Sequence, residues 1–227
     1  MEIPGVPLLA VTMVGLFAAV ATCIVFLVRG RTGVARSIAM ISVAWIAAYA
    51  SLLVVTSLAS RERTLAIGET KRFCGFYLDC HMGVAVERVD TVSSIGDMRA
   101  GGTFYVVTLR VSSDARRAAL RLEEPRITIV DGEGFRYERS AIAEQKLSLE
   151  MLDLERPVEA GHSFTRAIVI DVPHGVRHPR LHVTMGGALD RAVERALIGD
   201  EEALLHAPTL HSLVAGSGVS SASAGVR

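Results

Sequence analysis

The stretch TFYVVTLRV, residues 103–111, decides the fold class of most of the chain. One face of its alternating pattern carries Tyr105, Val107, Leu109 and Val111. A period of two residues is typical of a strand with one buried face, whereas an amphipathic helix repeats every 3.6 residues. The opposite face changes from Phe104 to Arg110, which predicts that one end of this strand is more exposed.

Further strand-like segments lie on both sides of this stretch. They are residues 83–92, 126–130, 135–137, 164–172 and 180–185. The turn sequence DGEG at 131–134 separates two of them and predicts a hairpin, and Pro173 ends another. Short strands joined by turn residues predict an all-β antiparallel sandwich.

Three segments depart from the strand pattern. Residues 141–154 have apolar side chains near helical spacing and predict a loop with a helical turn. Residues 189–198 are rich in helix formers and fit either a helix or a final strand. Residues 212–227 are almost wholly Ser, Gly, Ala and Val, a composition typical of a disordered tail.

The first 60 residues differ sharply in charge from the rest. The chain has 24 basic and 24 acidic residues, but residues 1–60 contain only Arg29, Arg31 and Arg36 against Glu2. Within them, residues 6–28 and 38–59 carry no charge, and each run is long enough to cross a hydrocarbon layer of about 30 Å. We therefore expect a transmembrane hairpin anchor, followed by a linker at 61–72 and the sandwich at 73–211.

The hairpin predicts both a location and an orientation. Three arginines in the loop 29–37 favour the cytoplasmic side, so both ends of the chain would be outside the cytoplasmic membrane. The basic residues 61–72 after the second span oppose this topology. A cleaved signal peptide is the alternative for the first span, but the amino end lacks positive charge. Neither span contains an ionisable side chain of the acidic, basic or histidine type, which argues against a transporter or channel.

A series of short motifs follows in order along the chain. They are FCGFYLDCH at 73–81, GTFYVV at 102–107, DGEG at 131–134, AG at 160–161, IDVP at 170–173 and IGDE at 198–201. In this order the chain, over about residues 70–211, resembles membrane-anchored extracytoplasmic immunoglobulin-like domains of bacterial proteins of unknown function. The resemblance implies a sandwich outside the membrane and no particular reaction.

Cys74 and Cys80, followed directly by His81, form the sharpest local feature. In an extracytoplasmic domain the expected chemistry is a disulfide that closes a short loop. The alternatives are a Cu(I) or zinc site of Cys74, Cys80 and His81, or a redox-active pair, although the usual Cys-x2–4-Cys spacing is not met. His206 is a further candidate ligand, since it could join His81 if the fold brings them together.

Other candidate chemistry is sparse. His174, His178 and His182 are spaced by four, but Pro173, Gly175 and Pro179 exclude a shared helix face. The acidic groups 123–124, 153/155 and 200–202 are better explained as solvated turns than as acid–base pairs. The sequence lacks the common hydrolase, metalloprotease, phosphate-loop and dinucleotide motifs, and its slightly acidic polar part disfavours nucleic-acid binding.

These observations predict a non-enzymatic, cofactor-free interaction module tethered to the membrane. It would bind a protein or envelope partner through loops or an exposed strand edge. Two hypotheses stay open beside it: a metal-handling or thiol-redox protein that uses Cys74, Cys80 and His81, and an accessory subunit of a membrane complex.

Overall fold

The computed structural model describes residues 5–73, 80–147 and 153–214, which form two compact units. The helical unit contains residues up to Glu62 together with Ala188–Pro208. The sandwich unit contains Arg63–Gly187 and the residues from Thr209 onwards. Residues 188–208, expected inside the sandwich, therefore belong with the hairpin.

The helical unit is built on a hairpin of α1, Gly5–Val28, and α2, Thr32–Leu58. Both helices are long and apolar enough to cross a membrane. Their large side chains point outwards, with Phe17 82% and Val28 83% exposed. A polar contact joins the helices: the Trp45 indole N–H donates to Thr12 Oγ1 at 3.2 Å, and Thr12 is buried.

The sandwich unit consists of two sheets with nine strands among the described residues. The strands are β1 Arg63–Leu65, β2 Thr70–Phe73, β3 Met82–Ile95, β4 Met98–Ser113, β5 Arg126–Val130, β6 Arg136–Glu138, β7 Ser163–Val172, β8 Arg180–Thr184 and β9 Thr209–Ser212. One sheet has the order β1-β9-β8-β5-β6 and the other the order β2-β3-β4-β7. All described pairings are antiparallel except β1 with β9, which is parallel.

The core lies between the two sheets and follows the alternation in the sequence. Val107, Leu109 and Val111 of β4 are fully buried and pack in one cluster with Ile129 of β5 and Leu181 of β8. Facing apolar surfaces of two sheets are the usual core of a sandwich. The structure thus confirms the β-sandwich that residues 103–111 predict.

A second apolar cluster covers the outer face of β4 and β7. Helix α3, Ala141–Leu147, places Ala143 against Phe104, Val106 and Val169. The β3–β4 hairpin tip is tied to the same helix by an ion pair of 2.6 Å between Lys146 Nζ and Asp97 Oδ1. Phe104 is only 1% exposed beneath α3, whereas the Arg110 side chain on the same face is 39% exposed, which confirms that one end of β4 is more exposed.

The turn between β5 and β6 is held by a single buried carboxylate. Asp131 Oδ1 accepts the backbone N–H groups of Glu133 and Phe135 at 2.9 Å, and Oδ2 accepts the Tyr137 hydroxyl at 2.9 Å. Gly134 has φ of +90°, a conformation that glycine adopts without steric cost. The DGEG sequence therefore makes the predicted hairpin turn.

Several predicted boundaries require correction. The expected linker 61–72 contains β1 and most of β2, whose Leu65 and Lys71 are buried. Residues 189–198, which fitted either a helix or a final strand, contain most of a helix, α4, Ala188–Ala196. The expected tail begins later than residue 212, since Thr209–Ser212 is the last described strand and Leu213 packs in the core. Residues 215–227, most of that tail, lie outside the described residues.

Candidate functional site

The site of greatest chemical interest is a small cavity in the sandwich unit. It has a volume of about 300 Å³ and is lined by Pro125, Arg139, Asp153, Leu154, Glu155 and Arg166. Arg139 directly follows β6, and Arg166 lies on β7. The volume is at the lower end for a small-molecule site, and the lining is mostly polar and charged.

Two arginines of this cavity share one buried carboxylate. Glu144 of α3, 4% exposed, accepts Arg139 Nε at 2.8 Å and Arg139 Nη2 at 2.6 Å. It also accepts Arg166 Nη2 at 3.1 Å and the Val169 backbone N–H at 3.3 Å. The two guanidinium groups carry one more positive charge than Glu144 neutralises.

The charged groups around Glu144 decide its ionisation. Burial alone would raise the pKa of Glu144, but the hydrogen bonds and charge of Arg139, with the Val169 N–H and Arg166, hold it below the ordinary value. The carboxylate is therefore ionised at neutral pH, and the arginines are fixed in place. Asp153 and Glu155 supply negative charge elsewhere in the cavity lining, so the cavity presents both signs to a ligand.

An open strand edge adjoins this cavity. Val169 of β7 directs its N–H to Glu144 and its C=O to the Ser140 N–H, away from β4. Because outward groups alternate along an antiparallel strand, Thr165 and Ala167 direct their N–H and C=O groups to the same side. Within the described residues, no strand pairs with this side of residues 163–167. We call these residues the open edge of β7.

The predicted disulfide lies only partly within the described residues. Cys80 is described, but Cys74 lies outside them, so the Cys74–Cys80 bond stays a prediction that mass measurement with and without reductant can test. The free thiol of the described chain is Cys23, whose Sγ lies 3.6 Å from the Ala35 carbonyl of the hairpin. It is partly buried between helices.

His81 is found in an ion pair rather than in a cluster of metal ligands. Its Nδ1 lies 2.6 Å from Asp114 Oδ1, and the Arg72 guanidinium donates to the other carboxylate oxygen. The hydrogen bonds of Arg72 and His81 hold the pKa of Asp114 below its usual range. Among the described residues, no group of three His, Cys, Asp or Glu side chains is arranged to hold a metal ion.

The remaining candidate histidines are dispersed. His206 Nδ1 lies 2.9 Å from the Ala207 carbonyl, and the residue belongs to the helical unit, whereas His81 belongs to the sandwich. His182 is buried on β8, 3.1 Å from Arg136 Nη1, while His174 and His178 are exposed in the preceding turn. The three histidines spaced by four therefore do not form a common site.

Sequence reasoning missed the arginine pair. Of the acidic groups considered, only 153/155 reaches the cavity. The signal was nevertheless present, because Arg166 alternates with Phe164 and Ile168 on the core-facing side of β7. A charged residue in an apolar alternation is rarely buried without a partner. The partner Glu144 lies on a different element, so the sequence could not identify it.

Comparison with known proteins adds similarity of fold only. No protein-family model and no curated protein matches the chain. Among solved structures, the secreted protein MPT63 of Mycobacterium tuberculosis is 14% identical, with a TM-score of 0.42 over 58% of this chain and 95% of that one. An uncharacterized β-sandwich protein of Clostridium difficile 630 is 9% identical, with a TM-score of 0.39 over 68% and 96%.

Proposed function

We propose that this protein is a membrane-anchored, extracytoplasmic interaction module without enzymatic activity, whose immunoglobulin-like sandwich binds a protein or envelope partner. The hairpin α1–α2 crosses the membrane with both ends outside, and the partner adds an extended segment to the open edge of β7. The observation that carries this proposal is that edge, with its outward backbone groups beside the cavity of Arg139 and Arg166.

The chemistry of the edge fits main-chain recognition. Outward N–H and C=O groups at Thr165 and Ala167 offer the hydrogen bonds that an added strand uses, and the neighbouring cavity can accept a polar side chain from it. Beyond residue 167 the same edge is closed by Ser140 and Glu144. An added segment would therefore be short and would end at the arginine pair.

The membrane part of the proposal is supported by the exposed apolar surface of the hairpin. In the most apolar 18-residue stretch of each helix, only 6% is buried within the protein. A core helix of a soluble protein would be mostly buried, whereas a spanning helix exposes this surface to lipid. The charge-free spans end at a loop of three arginines, which favours the cytoplasmic side.

The partner hypothesis can be tested by substituting one residue of the edge in the full chain. Thr165→Pro removes an outward N–H but no hydrogen bond to β4. An edge strand tolerates proline at such a position. A photocrosslinking amino acid at Ser163 should form a defined adduct in cells, and Thr165→Pro should abolish it. Thr165→Val is the matched control and should preserve the adduct. An unchanged adduct in the proline variant would exclude this edge as the binding surface.

The orientation requires its own experiment. In a Cys23→Ala background, Arg177→Cys should react with a membrane-impermeant maleimide in intact cells, because Arg177 is exposed on the sandwich. Thr32→Cys, at the arginine loop, should react only after lysis. The reverse pattern would place the sandwich in the cytoplasm and contradict the extracytoplasmic assignment.

A further inference from the structure

The segment Ala188–Pro208 leaves the sandwich strands and packs on the hairpin of its own unit. The Tyr49 hydroxyl donates to the Ala196 carbonyl at 2.7 Å, and the Ala207 N–H donates to Ser60 Oγ at 2.8 Å. Ile198 and Ala203 are buried against Leu53, with Leu8 and Tyr49 packed around them. The segment is therefore docked on both α1 and α2.

The approach of this segment to α1 is unusually close. A Cβ atom on Gly5 would lie 2.2 Å from the Ile198 carbonyl oxygen, a distance that real Cβ atoms do not reach. By contrast, a Cβ atom on Gly15 would meet nothing within 4 Å. Glycine at position 5 is thus required for the docking, and position 15 provides a matched control.

The docking contacts lie at a definite depth along the helices. Arg36 is the last charged residue before the apolar run of α2, and Tyr49 and Leu53 follow it by roughly 20 and 26 Å at 1.5 Å per residue. A hydrocarbon layer of about 30 Å that began at Arg36 would extend past both residues. Leu8 lies roughly 30 Å from Val28 along α1, at a similar depth.

The same segment exposes two adjacent leucines. Leu204 and Leu205 are 51% and 59% exposed, and the Leu204 N–H donates to the Arg195 carbonyl, which ties them to α4. Leu205 has φ of +66°, a left-handed conformation that is costly for a residue other than glycine or asparagine. Exposure of the Leu205 side chain to water offers no favourable free energy to offset the cost of this backbone conformation, whereas contact with an apolar phase would.

We infer that residues 188–208 form a lipid-contacting element in which Leu204 and Leu205 enter the bilayer at the end of the hairpin away from the arginine loop. This inference rests on the proposed membrane anchor and adds a second, interfacial contact to it. The docking contacts with Tyr49 and Leu53 place the element near the end of the hydrocarbon layer away from the arginine loop, a depth that matches the 5–10 Å burial of interfacial segments.

The protonation of one side chain of the element, Glu194, favours a position at the membrane surface. Glu194 on α4 has a buried Oε2 without a hydrogen-bond partner in the described chain. Burial, with the negative charges of Asp200, Glu202 and Asp190, raises the pKa of Glu194 to about 7, and Arg191 opposes this only in part. A neutral carboxyl group lowers the cost of bringing α4 close to lipid.

Fluorophores on an introduced cysteine of the full chain, labelled without reductant so that the predicted Cys74–Cys80 disulfide stays closed and reconstituted in phosphatidylcholine nanodiscs, can test the inference. In a Cys23→Ala background, an environment-sensitive dye at Leu204→Cys or Leu205→Cys should be quenched by lipids with a doxyl group near the headgroup, several-fold more than a dye at Arg177→Cys. Adding Gly5→Ala should reduce this quenching, whereas Gly15→Ala should leave it unchanged.

A dye at Ile46→Cys, in the middle of α2, separates the two proposals. If this dye is quenched by deep doxyl lipids but the dyes at 204 and 205 remain in water, the anchor stands and the lipid contact of 188–208 is overturned. If the dye at position 46 is not quenched, the membrane anchor itself fails. Quenching at all three positions supports both proposals.

Discussion

The two units of this protein differ in how their apolar side chains are buried. The sandwich buries a continuous core, in which Leu109, Ile129 and Leu181 are fully inaccessible. The helical unit buries only Leu53, Ile198 and Ala203 in its own described cluster, while most of its large apolar side chains are exposed. The described apolar side chains of the helical unit thus form a small internal cluster, whereas those of the sandwich form an extended one. The comparison teaches that apolar residues that alternate along strands build an internal core, whereas those of the uniformly apolar helices remain on the surface of the protein.

The largest effect is expected at the shared carboxylate of the sandwich. Glu144→Ala would leave Arg139 and Arg166 without their partner and should lower the free energy of unfolding by about 3–5 kcal/mol. Urea unfolding of the full chain in detergent, followed by the circular dichroism of the strands, measures this loss. The control is Glu138→Ala, an exposed position on β6, which should change little. Equal effects of the two variants would contradict the buried ion-pair assignment.

Core truncation tests the difference between the units directly. Ile129→Ala, at a fully buried position, should destabilise the sandwich by about 2–5 kcal/mol because a cavity remains. Ile41→Ala in α2 removes the same atoms from a side chain that is 70% exposed. It should leave the urea midpoint of the sandwich unchanged. A similar shift in both variants would show that Ile41 belongs to a protein core.

Acidification should weaken the sandwich through His182. Burial, with the charges of Lys71 and Arg136, lowers the pKa of His182 to about 4 from an ordinary value of 6.5. The unfolded chain therefore binds a proton that the folded chain rejects as the pH falls from 6.5 to 4, which costs about 3 kcal/mol in the free energy of unfolding.

The variant His182→Gln should flatten this pH dependence. The carboxylates Asp131 and Glu144, whose pKa values are lowered, contribute only below about pH 4.5. Glu194, whose pKa is raised to about 7, is replaced by glutamine in both chains, so the window between 4.5 and 6.5 isolates histidine. Urea midpoints measured across this window provide the comparison. A wild-type slope that survives in His182→Gln would assign the effect to another group.

The helical unit should respond to pH with the opposite sign. The pKa of Glu194 is raised to about 7, so docking of residues 188–208 is favoured at low pH and weakens as the pH rises through 7. Between pH 6 and 8 we expect a loss on the order of 1 kcal/mol, or roughly five-fold faster trypsin cleavage at Arg195. At each pH the cleavage rate is divided by that of the Glu194→Gln variant, in which docking of residues 188–208 should not depend on pH. A constant ratio would contradict the assignment.

The smallest expected effect is the loss of one hydrogen bond in the helical unit. Tyr49→Phe removes the donor to the Ala196 carbonyl and should cost about 1 kcal/mol of docking. Amide hydrogen exchange of residues 197–204 should accelerate several-fold. Tyr105→Phe, in the sandwich, is the control and should not alter this exchange. If both variants exchange at the wild-type rate, Tyr49 does not hold the segment.

Much of the fold could be predicted from the local alternation of apolar and polar residues. Residues 126–130 form a strand with the predicted bounds, and 164–172 and 180–185 match β7 and β8 to within one residue. These predictions succeed because one buried face imposes alternation on the strand itself. The prediction failed for β1 and β2, which are only three and four residues long and carry charged residues. β1 is held by its pairing with β9, far along the chain, and Lys71 of β2 donates to the Val183 carbonyl of β8.

The candidate site was harder to predict from the sequence, because it too depends on contacts between distant residues. Arg139, Glu144 and Arg166 come from a strand end, a helix and another strand, so no local motif joins them. The same holds for residues 188–208, where helix formers were visible but their docking on Tyr49 was not. Contacts between distant residues depend on how the elements pack, and a single sequence records this only as isolated anomalies, such as a charge in an apolar alternation.

The amino-acid sequence determined the composition of each region: two charge-free apolar spans, a set of alternating strands and a turn at 131–134. Hydrophobicity and period act locally, so each segment carries its own signal. Only the tertiary structure decided which strands became neighbours, that Glu144 is shared by two arginines, and that residues 188–208 pack on the hairpin. Those outcomes depend on burial and pairing across the chain, which local pattern does not specify.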